Sequence, residues 1–128
     1  MNIHGIGLDV VNINRVKSII IKKNSFKKRI FSNKEISFCQ KRKDKYACFA
    51  KRFAAKEAFS KALGTGISNG LYFKDIEINN DKKGKPYLTI KNKSLQIVNK
   101  VLKRKKFKVF LSLTDEKSYA LANVILTI

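Results

Sequence analysis

Along this chain apolar and polar positions first alternate, then recur every three or four residues, then alternate again. Residues 3–9, Ile-His-Gly-Ile-Gly-Leu-Asp, read as a short strand, with Ile6 and Leu8 apolar and glycines that let another element approach closely. Asn12 suits the N-cap of a helix over about 13–23, with Ile13, Val16 and Ile20 on one face. Ser32-Asn33-Lys34-Glu35 has capping-box spacing and predicts a helix running to about Lys43. A long helix follows over about 45–63, where Phe49 and Phe53, and Ala50, Ala54, Ala58 and Ala62, recur at helical spacing. The alanines make a narrow face for close packing, and Gly64 suits the left-handed position that ends a helix.

The period then shortens to two. Phe73 to Asn79 alternates, with Phe73, Asp75 and Glu77 on one side and Ile76 and Ile78 toward the other. A turn rich in Asn, Asp and Gly spans Asn80 to Lys85, and Tyr87 to Ile90 returns, so the two stretches form a hairpin. A helix fits Ser94 to Lys103 with Leu95, Val98 and Leu102 inward. Strands Lys108–Leu113 and Tyr119–Leu126 flank a turn at Asp115-Glu116-Lys117. The order β-α-α-α-β-β-α-β-β predicts an α+β fold with a mostly antiparallel sheet, in one domain over residues 1–128.

Charge narrows the partners without choosing one. Lys and Arg number 29 against 9 Asp and Glu among 128 residues, a net charge of +20. Such a chain attracts nucleic acid, an anionic membrane surface, or an acidic protein carrying a phosphorylated ligand. Abundant Lys, Ile and Asn also follow from AT-rich coding, so part of the excess carries no functional meaning. No apolar run is long enough to cross a membrane, and the N-terminus lacks the basic-then-apolar layout of a signal peptide. A cytoplasmic location is expected. Cys39 and Cys48 lie in a predicted helical region without metal-ligand spacing, and are expected to be buried thiols. His4, the sole histidine, has no partner for a triad.

Four stretches carry candidate chemistry. Asp9 follows two glycines near a strand end, a place for holding a hard cation; it equally suits a cap or turn before the next helix. Glu57 and Lys61, at i and i+4, share one face of the alanine-rich helix. Such a pair is usually a surface ion pair, but its apolar setting predicts a partly buried Glu57. Gly64-Thr65-Gly66 offers backbone N–H groups to a phosphate, or simply ends the helix. Gly84-Lys85-Pro86 is by itself a turn. The cations Arg15, Lys17, Lys22, Lys23, Lys27, Lys28 and Arg29 are dense enough to dock an acidic partner. Only Phe26 and Phe31 interrupt them, unlike the interleaved aromatics of single-strand nucleic-acid binders. A basic nucleic-acid-binding module is the alternative, though it gives no role to Asp9 or Glu57.

Taken in order, these stretches resemble the holo-acyl-carrier-protein synthases, the small 4'-phosphopantetheinyl transferases. The resemblance rests on Gly5-Ile6-Gly7-Leu8-Asp9 followed by Arg15, and on the run from Arg52 to Ile67 containing Lys56-Glu57-Ala58-Phe59-Ser60-Lys61. It extends through Asp75-Ile76-Glu77-Ile78, Gly84-Lys85-Pro86-Tyr87 and Leu111 to Ala120. It implies an antiparallel sheet packed on a long helix, assembled as a homotrimer with active sites between subunits. It implies transfer of phosphopantetheine from coenzyme A to a serine of an acyl-carrier protein in fatty acid biosynthesis, releasing 3',5'-ADP. Residues matching Asp9 and Glu57 hold magnesium in that family, and Lys61 matches a lysine beside the coenzyme A phosphates. Glu57 and Lys61 are the implied catalytic residues, with the base either Glu57 or a water held by the cation. The glycine loop at Gly64 and the hairpin at Gly84 and Pro86 match the lining of the coenzyme A cleft. Arg15, Lys22 and Arg29 match carrier-docking positions. Thr114 stands where many members have a histidine. Neither nucleic acid nor membrane is an implied partner.

Overall fold

A computed structural model describes residues 1–68 and 70–128. Strand β1 (Ile3–Asn12) leads into helices α1 (Ile13–Lys22), α2 (Asn24–Ile30), α3 (Asn33–Gln40) and the long α4 (Lys45–Leu63). A 3-10 turn (Phe73–Asp75) precedes β2 (Ile76–Asn80) and β3 (Pro86–Ile90); α5 (Asn92–Leu102), β4 (Lys108–Glu116) and β5 (Tyr119–Thr127) complete the chain. The strands form two antiparallel sheets, β1-β5-β4 and the hairpin β2-β3. The fold class is thus α+β, with α4 packed against β1 and β5.

Close packing of β1 on α4 follows from residue size. A Cβ at Gly5 would run into the Ala62 carbonyl oxygen, and one at Gly7 into that of Ala58. Ala54, Ala58 and Ala62 are buried on the helix, and Ala122, Val124 and Leu126 of β5 extend the same core. His4 Nε2 adds a bond to the Leu63 carbonyl at 3.3 Å. Period-two alternation turns Ile6, Leu8 and Val10 to the outer sheet face, where they stay 62%, 60% and 57% exposed. Phe110 and Tyr119 lie exposed on the neighbouring strands, so this chain leaves an apolar sheet face uncovered.

Caps fall where expected. Asn12 Oδ1 accepts from the Arg15 N–H at 3.0 Å. Ser32 and Glu35 form a complete capping box, and Gly64 ends α4 with φ 96°.

Several expectations need correction. The expected single sheet is two, because Ile76 and Ile78 of the hairpin bury against α4 instead of extending the main sheet. Helix α2 was not foreseen: only Phe26 and Ile30 of its seven residues face inward, too few to show a period among lysines. The strand expected from Phe73 starts at Ile76, and Glu77 is buried together with Ile76 and Ile78. Burial pushes the Glu77 carboxyl up, but hydrogen bonds from Lys91, Ser32 and Asn79 outweigh it and hold it at about 2. On α5 Leu95 faces out, because Ser94 takes the inward place and donates to Asp75 Oδ2 at 2.7 Å. β1 runs on to Asn12, so Asp9 is interior to the strand, and β4 runs through Asp115 and Glu116, leaving Lys117 and Ser118 as the turn. Cys39 and Cys48 are not free thiols but a disulfide. The tight α3–α4 connection brings their Cα atoms to 5.5 Å, and both residues are buried.

A buried ion pair joins the hairpin to the helices. Lys56 is fully buried and Glu35 nearly so. Lys56 Nζ donates to Glu35 Oε1 at 2.8 Å, the Phe73 carbonyl at 2.8 Å and the Ile76 carbonyl at 2.5 Å. Glu35 also accepts from the N–H groups of Ser32 at 2.9 Å and Ile78 at 3.1 Å. Burial lowers the Lys56 pKa, and Glu35 opposes that shift. Glu35→Ala, which strands the ammonium, is expected to lower unfolding free energy by about 3–5 kcal/mol. Urea denaturation checks this. Glu35→Leu combined with Lys56→Met removes both charges but leaves the N–H groups of Ser32 and Ile78 and the carbonyls of Phe73 and Ile76 without partners, so it should recover only part of the loss; a loss larger than that of Glu35→Ala would contradict the stranded-charge account.

Candidate active site

The backbone contact of β1 on α4 decides where Asp9 lies. Asp9 follows Gly5 and Gly7 at period two, so it projects from the same strand face toward the helix. Lys61 Nζ donates to Asp9 Oδ1 at 2.9 Å and to the Leu8 carbonyl at 3.1 Å. Glu57 stands one turn before Lys61 and is half-buried, as its apolar setting predicted. Burial raises the Glu57 carboxyl above its usual range, the Asp9 carboxylate raises it further, and Lys61 partly opposes both. Lys61 pairs with Asp9 across the two elements, and the simple i, i+4 surface pair with Glu57 is not formed.

Asp9, Glu57 and Lys61 therefore come together. Two carboxylates offer hard oxygen donors to a divalent cation while leaving most positions to water, the preference of magnesium. Among the described residues no group of three His, Cys, Asp or Glu side chains gathers, so this donor set does not resemble a zinc site.

Gly84 and Pro86 lie elsewhere. The hairpin turn is shaped by Asp81, whose Oδ1 accepts from the N–H groups of Lys83 and Lys85, both at 2.9 Å, and by Gly84 at φ 88°. Beside it is a cavity of about 450 Å³ lined by Arg42, Lys51, Arg52, Lys82, Gly84 and Pro86, among others, but not by Asp9, Glu57 or Lys61. Arg52 is buried there. Its Nη2 donates to Asn80 Oδ1 at 2.6 Å, its Nη1 to Cys48 Sγ at 3.3 Å, and its guanidinium lies 4.5 Å from the Phe38 ring. Arg52 Nε is buried with no hydrogen-bond partner among the described residues. Four cations against one lining carboxylate, Asp81, make a cavity suited to a phosphorylated ligand.

The glycine loop differs from expectation in one respect. The N–H groups of Gly64, Thr65 and Gly66 all donate to the Ser60 carbonyl, at 3.0, 3.3 and 3.2 Å. They finish the helix and are not free to take a phosphate. Arg15 and Lys22 on α1 and Arg29 on α2 are exposed. Arg42, Lys51 and Arg52 were missed as cavity residues. The available signal was Arg52 in an alanine-rich helix, where a cation needs a partner as much as a carboxylate does.

A family model described as the 4'-phosphopantetheinyl transferase superfamily matches residues 5–124. A holo-[acyl-carrier-protein] synthase of Pelagibacter ubique is 50% identical over 127 residues, covering 98% of both chains. Among solved structures, a holo-(acyl-carrier-protein) synthase from Bacillus anthracis in complex with CoA (3',5'-ADP) aligns with a TM-score of 0.80 at 35% identity, covering 99% of this chain and 98% of that one. A holo-[acyl-carrier-protein] synthase from Neisseria meningitidis aligns with a TM-score of 0.86 at 35% identity, covering 98% and 99%.

The raised Glu57 carboxyl has a sign that can be measured. A carboxyl whose folded pKa lies above its unfolded value destabilises the fold at neutral pH, and the penalty vanishes below the unfolded value. Glu57→Gln is therefore expected to raise the unfolding temperature at pH 7, with the gain shrinking as pH falls toward 4.5 and absent below it. Thermal unfolding at several pH values checks this, and a lower unfolding temperature at pH 7 would contradict it.

Proposed function

Because this chain belongs to the 4'-phosphopantetheinyl transferase superfamily, we propose that it moves the phosphopantetheine arm of coenzyme A onto a serine hydroxyl of an acyl-carrier protein, releasing 3',5'-ADP. The pathway we assign is fatty acid biosynthesis in the cytoplasm. No helix among the described residues is long and apolar enough to cross a membrane. The observation that carries the reading is the meeting of Asp9, Glu57 and Lys61, distant along the chain, beside a backbone contact that only glycine permits. A nucleic-acid-binding module, the alternative from charge alone, has no use for two carboxylates in its site.

In the reaction the serine oxygen forms a bond to the phosphorus that bears the pantetheine arm. The pyrophosphate P–O bond breaks and 3',5'-ADP leaves. Asp9 and Glu57 would hold magnesium, which when bound neutralises pyrophosphate charge. Lys61 adds a cation one turn from Glu57, on the leaving-group side. The serine proton passes to Glu57 or to water. Arg15, Lys22 and Arg29 present exposed cations to an acidic carrier and act mainly on encounter and specificity.

We also assign a homotrimer with the coenzyme A cleft between copies. Two observations support this. The outer face of β1-β5-β4 exposes Ile6, Leu8, Val10 and Phe110, an apolar face that a second copy could cover. Among the described residues, Asp9, Glu57 and Lys61 do not line the cationic hairpin cavity of the same chain. A substrate that needs both is served if the hairpin of one copy meets the β1–α4 contact of another, with Gly64, Gly84 and Pro86 along the cleft.

Incubation with coenzyme A, magnesium and an apo carrier protein, read by mass spectrometry, tests the activity; an unmodified carrier would overturn it. Asp9→Ala and Glu57→Ala are each expected to reduce transfer by roughly a hundredfold or more while the fold is kept. Near-normal turnover in either variant would remove that residue from the metal site. Arg15→Glu is expected to raise KM for the carrier roughly tenfold and leave KM for coenzyme A unchanged; steady-state kinetics with each substrate varied separates the two.

A further inference from the structure

We propose that Lys61 is an internal counter-ion. It holds Asp9 against a divalent cation until a pyrophosphate-bearing substrate draws it away, so that cation and coenzyme A fill the site together. This rests on the reading of Asp9 and Glu57 as the cation-binding pair and concerns the order in which that site fills.

Lys61 is held in a defined place. Its ammonium makes two bonds to β1, at 2.9 Å to Asp9 Oδ1 and at 3.1 Å to the Leu8 carbonyl. The backbone bond matters, because it fixes the ammonium beside Asp9 by more than charge attraction. The helical spacing also puts Glu57 one turn away, yet Lys61 closes its ion pair across elements, on Asp9. The Asp9 side chain is only 14% exposed, whereas the Lys61 side chain is 52% exposed. The carboxylate is thus tucked under a cation that can itself swing outward.

Charge then sets the order of binding. Asp9 and Glu57 alone would present two negative charges to an incoming cation; with Lys61 in place the net is one. A divalent cation at Asp9 also meets an ammonium already bonded to one carboxylate oxygen, and like charges that close repel strongly. A pyrophosphate changes the balance, since its oxygens offer Lys61 a new set of acceptors on the solvent side. Once Lys61 turns to them, Asp9 regains both its oxygens and its full attraction for the cation. By linkage, coenzyme A must then strengthen cation binding by the same factor as the cation strengthens coenzyme A binding.

Mn2+ binding, measured by the electron paramagnetic resonance of the free ion without carrier protein, tests this. The wild-type chain is expected to bind Mn2+ weakly alone and roughly tenfold more tightly with coenzyme A present. Lys61→Met should bind Mn2+ alone roughly tenfold more tightly than wild type, with a smaller further gain from coenzyme A than wild type shows, the remainder being the direct attraction of cation and pyrophosphate. Lys61→Arg, which keeps the charge, should follow wild type. Mn2+ affinity in Lys61→Met that is equal to or weaker than wild type would overturn the counter-ion role. Asp9→Asn separates this failure from that of the site itself. If Asp9→Asn leaves Mn2+ affinity unchanged, the cation site falls and the counter-ion role with it. If Asp9→Asn loses Mn2+ and Lys61→Met gains none, only the counter-ion role falls. Lys61 is exposed, so its replacement leaves the core intact.

Discussion

No side chain fits between β1 and α4 at Gly5 and Gly7, and both the fold and the site depend on that absence. Ala58 and Ala62 complete the contact from the helix side, with carbonyl oxygens where a Cβ would otherwise be. The consequence reaches beyond packing. Glu57 and Lys61 immediately precede Ala58 and Ala62, so the residues that let the strand approach are interleaved with those that carry charge. Asp9, two positions beyond Gly7, is carried to the helix by the same contact. A larger residue at either glycine would push the strand away and separate Asp9 from Lys61, so one packing constraint also sets the geometry of the candidate site.

The neighbouring pair Lys56-Glu57 shows how one helix serves two surfaces. Successive residues on a helix point about 100° apart. Lys56 points into the protein and meets Glu35, Phe73 and Ile76; Glu57 points toward β1. Buried ion pairs add little net stability compared with apolar packing, but every polar atom in this one has a partner, and the partners tie α3 and α4 to the 3-10 turn and β2. The pair thus fixes the orientation of the hairpin relative to α4. Because Arg52 lies one turn before Lys56 and reaches Asn80 of the same hairpin, the shape of the cationic cavity is set by this anchoring.

What was legible in the sequence was what local chemistry dictates. Asn12, Ser32 with Glu35, and Gly64 act within a few residues of themselves, and each caps the helix end expected of it. Glycines facing alanines implied a close contact, and the contact is there. The proximity of Asp9, Glu57 and Lys61 was legible because they fall in two compact motifs that a family resemblance joined. Features set by distant partners were not. Alternation sets Glu77 on the side opposite Ile76 and Ile78, and says nothing of Lys91, which is brought to 2.7 Å from it. Leu95 reads as core until Ser94 is claimed by Asp75. Lys56 and Arg52 receive no role of their own from the residues around them, because Glu35 and Asn80 are 21 and 28 residues away. The Cys39–Cys48 bond likewise depends on how α3 turns into α4, which no periodicity encodes.

The few acids of this basic chain point to the site independently of any motif. There are 9 Asp and Glu against 29 Lys and Arg, so a carboxylate seldom lacks a cation within reach. Asp9, Glu35, Asp44, Glu77 and Asp115 each hold one, and Asp75 and Asp81 accept hydrogen bonds that stabilise a helix start and a turn. Among the described residues, only Glu57 and Glu116 have side chains without an ion pair or hydrogen bond, and Glu116 is exposed to water. Glu57 is half-buried, and both burial and Asp9 raise its proton affinity. The cation that acts on it, Lys61, is bonded to Asp9. A protein with twenty surplus positive charges could neutralise this carboxylate with a small change of sequence. Leaving it unpaired costs stability, and that cost is compensated only if the charge is needed for something that binds there.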